Sequence, residues 1–187
     1  MKIGFFGGTF DPVHPGHVHA IVEAKISLGL DKVVCIPAKQ SPLKKNAPTR
    51  DDHRLNMLEL SIRDYGFMEI DDWEMTREGV SYTYDTAVHL QEEYPEDERY
   101  FLIGTDQYKS FEKWHRHEEL LKLMDFVIMD RYSGEPISDD RFITINQPVI
   151  EISSTIIRDR IRDGEIVRHQ LDPEVYQYVK ENHLYEA

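Results

Sequence analysis

The chain carries one cysteine, Cys35, so no disulfide forms within it and the composition suits a reducing compartment. That cysteine stands in Val33-Val34-Cys35-Ile36, the pattern of a buried strand. No apolar run approaches the ~20 residues that a membrane span needs. The first residues open directly into an apolar strand, which predicts a chain without a signal peptide and places it in the cytoplasm. Positive charge is scarce: 22 Lys and Arg face 35 Asp and Glu, a formal net charge of −13. A surface so acidic argues against nonspecific nucleic-acid or membrane binding. Any anion site must therefore be built locally, from helix ends and a few cations. Internal repeats and low-complexity tracts are lacking, and neither a nucleophilic triad nor an acid–base carboxylate pair stands out.

What is present suits one domain. At 187 residues with 40% hydrophobic content, the chain can bury a proper core. Strand and helix patterns alternate, which predicts an α/β, Rossmann-like, doubly wound parallel sheet. We expect a single domain over 1–187, with a small C-terminal helical part from about 153. Strands are predicted at 3–6, 32–37, 68–75, 99–103 and 126–129, with shorter ones at 142–145 and 149–152. Helices are predicted at 51–63, 83–94, 118–124, 153–162 and 173–182. The first helix follows residue 15, with Val18, Ile21, Ala24 and Leu28 at helical spacing. A long polar stretch at 38–49 holds two prolines and Lys39, Lys44 and Lys45, and a loop of that length is expected to be mobile or functional.

The chain is organised around Gly7-Gly8-Thr9-Phe10-Asp11-Pro12-Val13-His14-Pro15-Gly16-His17. This is a strand–turn–helix with two glycines at the strand end, and Pro15 suits the first helical position. Such a turn brings backbone N–H groups and a helix N-terminus against an anion, typically phosphate. His14 and His17, three residues apart, fall on one side. A metal pair is the competing reading. Two ligands are too few for a structural zinc site, however, and no Cys or third His lies nearby in sequence. Asp11 and Pro12 read as turn formers. Far along the chain, Ser153, Ser154 and Thr155 open a helix, with Arg158 on the face of Ser154. Their hydroxyls and N–H groups, with one Arg a turn away, suit a polyphosphate. The other histidines (His19, His53, His89, His115, His117, His169, His183) are scattered and read as surface residues, with His115 and His117 beside Trp114.

These residues carry a resemblance. His14-Pro15-Gly16-His17 resembles the (H/T)xGH motif of the nucleotidylyltransferase superfamily. Ile152-Ser153-Ser154-Thr155-Ile156-Ile157-Arg158 reproduces that superfamily's ISSTxIR motif without a change. More narrowly, the chain is similar over nearly its whole length to the bacterial nicotinate-nucleotide adenylyltransferases. Ser81-Tyr82-Thr83, Gly104-Thr105-Asp106 and Lys113-Trp114 match that group's SYT, GxD and KW elements, in order. Its PPHK stretch falls on Ser41-Pro42-Leu43-Lys44, where Lys44 matches and Ser41 and Leu43 depart.

The resemblance implies adenylyl transfer from ATP to nicotinate mononucleotide. His14, His17 and Arg158 would be the catalytic residues. Gly7, Gly8, Thr9, Phe10, Gly16, Gly104, Asp106, Ser153, Ser154 and Thr155 would complete the ATP site. Lys44, Tyr82, Thr83, Asp106, Trp114 and His115 would hold the mononucleotide, with Trp114 stacking on the pyridine and backbone N–H groups beside it binding the ring carboxylate. Mg²⁺ would arrive bound through the ATP phosphates rather than in a protein metal site. Family members often self-associate, which suggests a homodimer. Other acceptors (nicotinamide mononucleotide, phosphopantetheine, glycerol phosphate) and a catalytically silent nucleotide sensor are the alternatives.

Overall fold

The structure is a computed structural model and describes residues 1–39, 48–130, 137–148 and 150–187. Its centre is a six-stranded parallel sheet in the order β3-β2-β1-β4-β5-β6. The strands are β1 (Lys2–Gly8), β2 (Lys32–Pro37), β3 (Met68–Ile70), β4 (Glu98–Gly104), β5 (Asp125–Asp130) and β6 (Ile143–Asn146). β1 is central, with Phe6 beside Cys35 of β2 on one side and Leu102 of β4 on the other. The chain winds outward from β1 to β3, then crosses back to β4 and winds the other way. The order thus reverses between β1 and β4, and ligands of such sheets bind at the carboxyl ends beside that reversal.

Both sheet faces are covered, so the strands read as continuous apolar runs. Along β1, Ile3 and Phe5 enter one core, while Phe6 enters the other. The Phe6 face is covered by α1 (Pro15–Leu28), α2 (Asp51–Ile62), α7 (Ser154–Arg162) and α8 (Pro173–Glu181), through Ile21, Met57, Ile157 and Val175 among others. The Phe5 face is covered by α4 (Thr83–Glu93) and α6 (His117–Leu123), through Leu90 and Leu120. Pro15 opens α1 and Gly29 closes it in the left-handed conformation, with φ 62°. Asp172 caps α8 by accepting from the Glu174 N–H. Cys35 is fully buried, and burial pushes its thiol up to about 12, as expected of a packing residue. Among the described residues, no helix is long and apolar enough to cross a membrane.

Two strand expectations are corrected. The run at 68–75 is a strand only as far as Ile70. The Asp71 carboxylate accepts from the Trp73 N–H at 2.9 Å, a local turn that competes with the ladder, and α3 (Trp73–Thr76) follows. The expected strand at 149–152 is also not found among its described residues. The Ile152 N–H bonds to the Ile150 carbonyl at 3.0 Å, closing a three-residue turn in place of a ladder. Three further short elements were not anticipated: α5 (Thr105–Lys109), and 3-10 turns at Phe111–Lys113 and Arg168–Gln170.

The least expected core residue is Arg54 on α2, which is wholly buried. Its guanidinium donates to the carbonyls of Thr9 at 2.7 Å, Ala38 at 2.6 Å, Thr49 at 2.9 Å and Lys39 at 3.4 Å. It also pairs with the Asp51 carboxylate at 2.5 Å. One side chain thereby joins the ends of β1 and β2 to the entry of α2. We expect Arg54→Met, which keeps the stem and removes every donor, to destabilise the fold by about 3–5 kcal/mol, since it strands buried acceptors. Urea denaturation of wild type and variant measures this. A loss below about 1 kcal/mol would mean that water replaces the guanidinium at those carbonyls.

Candidate active site

A two-lobed cavity opens at the carboxyl ends of β1 and β4, at the reversal of strand order. Gly7, Gly8, Thr9 and Gln107 line both lobes. The first lobe has a volume of about 930 Å³ and gathers His14, Gly16, His17, Gly104, Ser153, Ser154, Thr155 and Arg158. The second has about 580 Å³ and gathers Tyr82, Thr83, Lys113, Trp114 and His115. Both volumes lie in the range of small-molecule sites.

The turn after β1 is shaped by rings packed on glycines. Phe10 is buried with φ 49°, a backbone conformation that side chains rarely adopt. Its ring lies against His17, centroids 5.2 Å apart. A Cβ on Gly8 would come within 3.0 Å of that ring, so glycine is what lets Phe10 fold back. The His14 and His17 rings stack, centroids 3.7 Å apart. A Cβ on Gly16 would lie 2.9 Å from His14 Nδ1, which explains the small residue between the two histidines. The His14 N–H donates to His17 Nδ1 at 3.1 Å. In the neutral imidazole the proton therefore sits on Nε2, and His17 is a hydrogen-bond donor through that atom.

The two distant motifs meet. The Ser154 hydroxyl donates to the Pro12 carbonyl at 2.9 Å, and Arg158 Nη1 donates to the Asp11 carbonyl at 2.6 Å. Ser154 thus fastens α7 to the turn through its hydroxyl. The first-turn amides of α7, at Ser154 and Thr155, remain at the lobe as a helix N-terminus. Charge at this lobe is mixed: Arg162 pairs with Asp159, and both line the outer end.

In the second lobe, Trp114 is half-buried. Its ring packs 5.2 Å from Phe111 and edge-on to Phe126, so it is at once core and cavity wall. The Lys113 and Trp114 N–H groups are engaged by Ser110 O and Phe111 O in their own turn, so these two are not the expected ring-carboxylate donors. Across the lobe stands the start of α4. The Asp85 and Thr86 N–H groups close on Tyr82 O, leaving the Thr83 and Tyr84 amides at the N-terminal edge of α4. Tyr82 and His115 meet at the rim, ring centroids 4.9 Å apart.

Other site residues fall differently. Asp106 is exposed on α5 and lines neither lobe, while its neighbour Gln107 lines both and accepts from the Gly104 N–H at 2.9 Å. Lys44, Ser41, Leu43 and Lys45 lie outside the described residues. Lys39 is described, and its ammonium donates to the carbonyls of Met75 and Arg77 beside α3. Sequence reasoning missed Glu74, a buried carboxylate in the wall of the second lobe that accepts from the Thr86 hydroxyl. Burial raises its pKa above the usual carboxylate value. A lone Glu in a short helical turn offers no sequence signal of such a place. Among the described residues, no three His, Cys, Asp or Glu gather as a metal site.

A parallel sheet with this glycine–histidine turn and a Ser/Thr-opened helix across from it defines a class. The chain belongs to the cytidylyltransferase-like family, whose family model matches residues 5–160. Within that class it falls among the nicotinate-nucleotide adenylyltransferases. It is 40% identical to the "Probable nicotinate-nucleotide adenylyltransferase" of Oceanobacillus iheyensis, covering 98% of this chain and 96% of that one. It is 37% identical to the protein of that name from Staphylococcus epidermidis, covering 98% and 97%. Its fold matches the structure of Plasmodium falciparum nicotinic acid mononucleotide adenylyltransferase complexed with APC, with a TM-score of 0.82 at 21% identity over 98% of this chain and 96% of that one.

The packing at Gly16 yields a test. We expect Gly16→Ala to fold as the wild type does yet lower nucleotidyl transfer by about 100-fold, because the new methyl displaces the His14 ring from a geometry that tolerates little error. Melting temperature and turnover, measured together, decide it. Unchanged turnover would mean that the His14 position is immaterial.

Proposed function

We infer that the protein transfers the adenylyl group of ATP to nicotinate mononucleotide, giving nicotinic acid adenine dinucleotide and pyrophosphate. The observation that carries this reading is the meeting of the two motifs over one lobe, His14 and His17 on one side and the α7 N-terminus with Arg158 on the other. A second lobe of mononucleotide size opens from the same glycines.

The chemistry asks little of protein acids and bases. The 5′-phosphate of the mononucleotide is ionised at neutral pH and attacks the α-phosphorus of ATP. The bond to the β-phosphate oxygen breaks, and pyrophosphate leaves with that electron pair. Catalysis is then alignment plus stabilisation of charge. We assign His14 and His17 to the α- and β-phosphates, with His17 donating from Nε2. Arg158 and the α7 amides hold the outer phosphates. Gly7, Gly8, Thr9 and Phe10 form the floor on which the two substrates meet. The residues present fit a divalent cation that arrives with the nucleotide, because the lobe's carboxylates are already engaged: Asp11 by Tyr185 and Thr49, Asp159 by Arg162. Mg²⁺ held by phosphates and water would offset their charge.

The acceptor's ring carboxylate fits the second lobe. Trp114 supplies a flat apolar wall, and the α4 edge supplies N–H donors together with the positive end of a helix dipole. A carboxylate accepts on both oxygens, whereas a carboxamide turns an NH₂ toward a donor and leaves both unpaired. The mismatch costs about 1–3 kcal/mol before the lost charge-assisted bond is added. We therefore expect the specificity constant for nicotinate mononucleotide to exceed that for nicotinamide mononucleotide by roughly 100-fold or more. Pyrophosphate release with each acceptor measures it. Equal constants would refute the acid preference, and no release with either would leave a nucleotide-binding module without this activity.

For the first lobe, His17→Ala should lower turnover by about 100- to 1000-fold, the usual effect of losing one donor at developing charge, with a smaller change in ATP affinity. Near-normal turnover would remove His17 from the chemistry.

A further inference from the structure

Asp11 was read from sequence as a turn former, yet it is the centre of a knot. It is buried, 6% exposed. Its Oδ1 accepts from the Tyr185 hydroxyl at 2.7 Å, its Oδ2 from the Thr49 N–H at 3.0 Å, and its backbone carbonyl from Arg158 Nη1 at 2.6 Å. Tyr185 reaches it from beyond α8, across 174 residues of chain. Its backbone has φ 66°, a left-handed conformation that a tyrosine rarely adopts. Just before it, Leu184 is buried in the core and its N–H bonds to Val179 O at 3.0 Å, so the segment is anchored where the hydroxyl meets the carboxylate. Burial and the Asp11 charge push the Tyr185 hydroxyl far above the usual phenol value, which keeps it a donor.

We propose that Tyr185 is a positioning residue for ATP: by holding Asp11 Oδ1 it keeps that carboxylate from pairing with Arg158, so the guanidinium stays directed at the nucleotide phosphates. The proposal rests on the adenylyl-transfer reading of the first lobe. A carboxylate and a phosphate compete for the same planar fork of donors, and each binds it with charge-assisted hydrogen bonds. Arg158 already touches Asp11 through the backbone carbonyl, so the Asp11 carboxylate is the anion nearest to hand. With its Oδ1 unmet, burial would drive that oxygen to find a donor, and Arg158 offers one. A neutral hydroxyl satisfies the oxygen without adding charge. Among the described residues, the other hydrogen bond of Arg158 is a long contact from Nη2 to Thr155 Oγ1, 3.4 Å. A guanidinium so lightly held can turn to a phosphate.

Tyr185→Phe removes the hydroxyl alone. ATP binding by titration calorimetry, without the second substrate, should weaken about tenfold. The Michaelis constant for ATP should rise in parallel, with kcat at saturating ATP and the Michaelis constant for the mononucleotide near wild type. In an Asp11→Asn background the same change should cost less than about twofold, because a neutral amide cannot neutralise Arg158. An Arg158→Ala background gives the same test if Asp11→Asn fails to fold, since Tyr185→Phe should then add no penalty. Unaltered ATP affinity in Tyr185→Phe, or an equal penalty in every background, would overturn the proposal in favour of simple packing. If the wild type transfers adenylyl groups to neither mononucleotide but the ATP-binding cycle behaves as described, the latch stands and the adenylyl-transfer reading falls.

Discussion

Arg54 is the interaction on which the site depends. A wholly buried guanidinium is costly to desolvate unless its donors are met, and here carbonyls from three separate segments meet them. That requirement runs both ways. The carbonyls at the strand ends, Thr9 and Ala38, and at the approach to α2, Thr49, share the guanidinium as a common donor. Because its fork is planar and rigid, it sets the relative positions of the segments as well as their contact. The floor shared by both lobes, Gly7 to Thr9, is therefore held at Thr9 by a buried charge that lines neither lobe.

A second consequence concerns sign. The protein carries a formal charge of −13, yet its first lobe is read as a site for a highly anionic nucleotide. The conflict resolves over short distances. Exposed charges are screened within about 8–10 Å at physiological salt, so the acidic surface weighs little inside the cleft. What counts there is which groups face inward and which are already engaged. Asp11 is taken by Tyr185 and Thr49, and Asp159 by Arg162, while Arg158 rests on a carbonyl. On that reading the lobe would accept an anion by occupying its carboxylates as much as by presenting cations.

Legibility from sequence follows the range of the interaction. The strands of the central sheet were readable because both faces are buried and the runs are apolar. The longer helices were readable from spacing, from Pro15 and from the Asp172–Pro173 cap. The motif turn and Ser153 to Arg158 were readable as candidates because each is contiguous, and the structure brings the two together at one lobe. Where the reading failed, a side chain overrode the local pattern: Asp71 ended β3 early, and the turn at Ile150–Ile152 replaced a strand. Arg54, Asp11 and Tyr185 were not readable as a group at all. An arginine amid DDHRLNML, an aspartate before proline and a tyrosine after the last helix each have an ordinary surface reading. Only tertiary contact, 174 residues apart for Asp11 and Tyr185, gives them their roles.

The placement of the reaction follows from rigidity. Alignment contributes to rate only if the aligning elements move less than the tolerance of the geometry, about half an ångström. β1 is the strand flanked on both sides by parallel partners at the reversal of order, with β2 paired along its length to Gly8 and β4 to Phe6. Apart from Gln107, the residues common to both lobes are the last of this strand and the turn that leaves it, Gly7, Gly8 and Thr9. On the adenylyl-transfer reading, glycine there would let two phosphates approach the backbone from opposite lobes, and the Phe10 ring folds back over Gly8 and against His17. Attacking phosphate and α-phosphate would thus converge on the stiffest part of the sheet. The elements proposed to recognise the substrates (Tyr82, Trp114, the α7 N-terminus) stand away from that strand, on helix starts and turns, so that recognition and bond-making would rest on different parts of the fold.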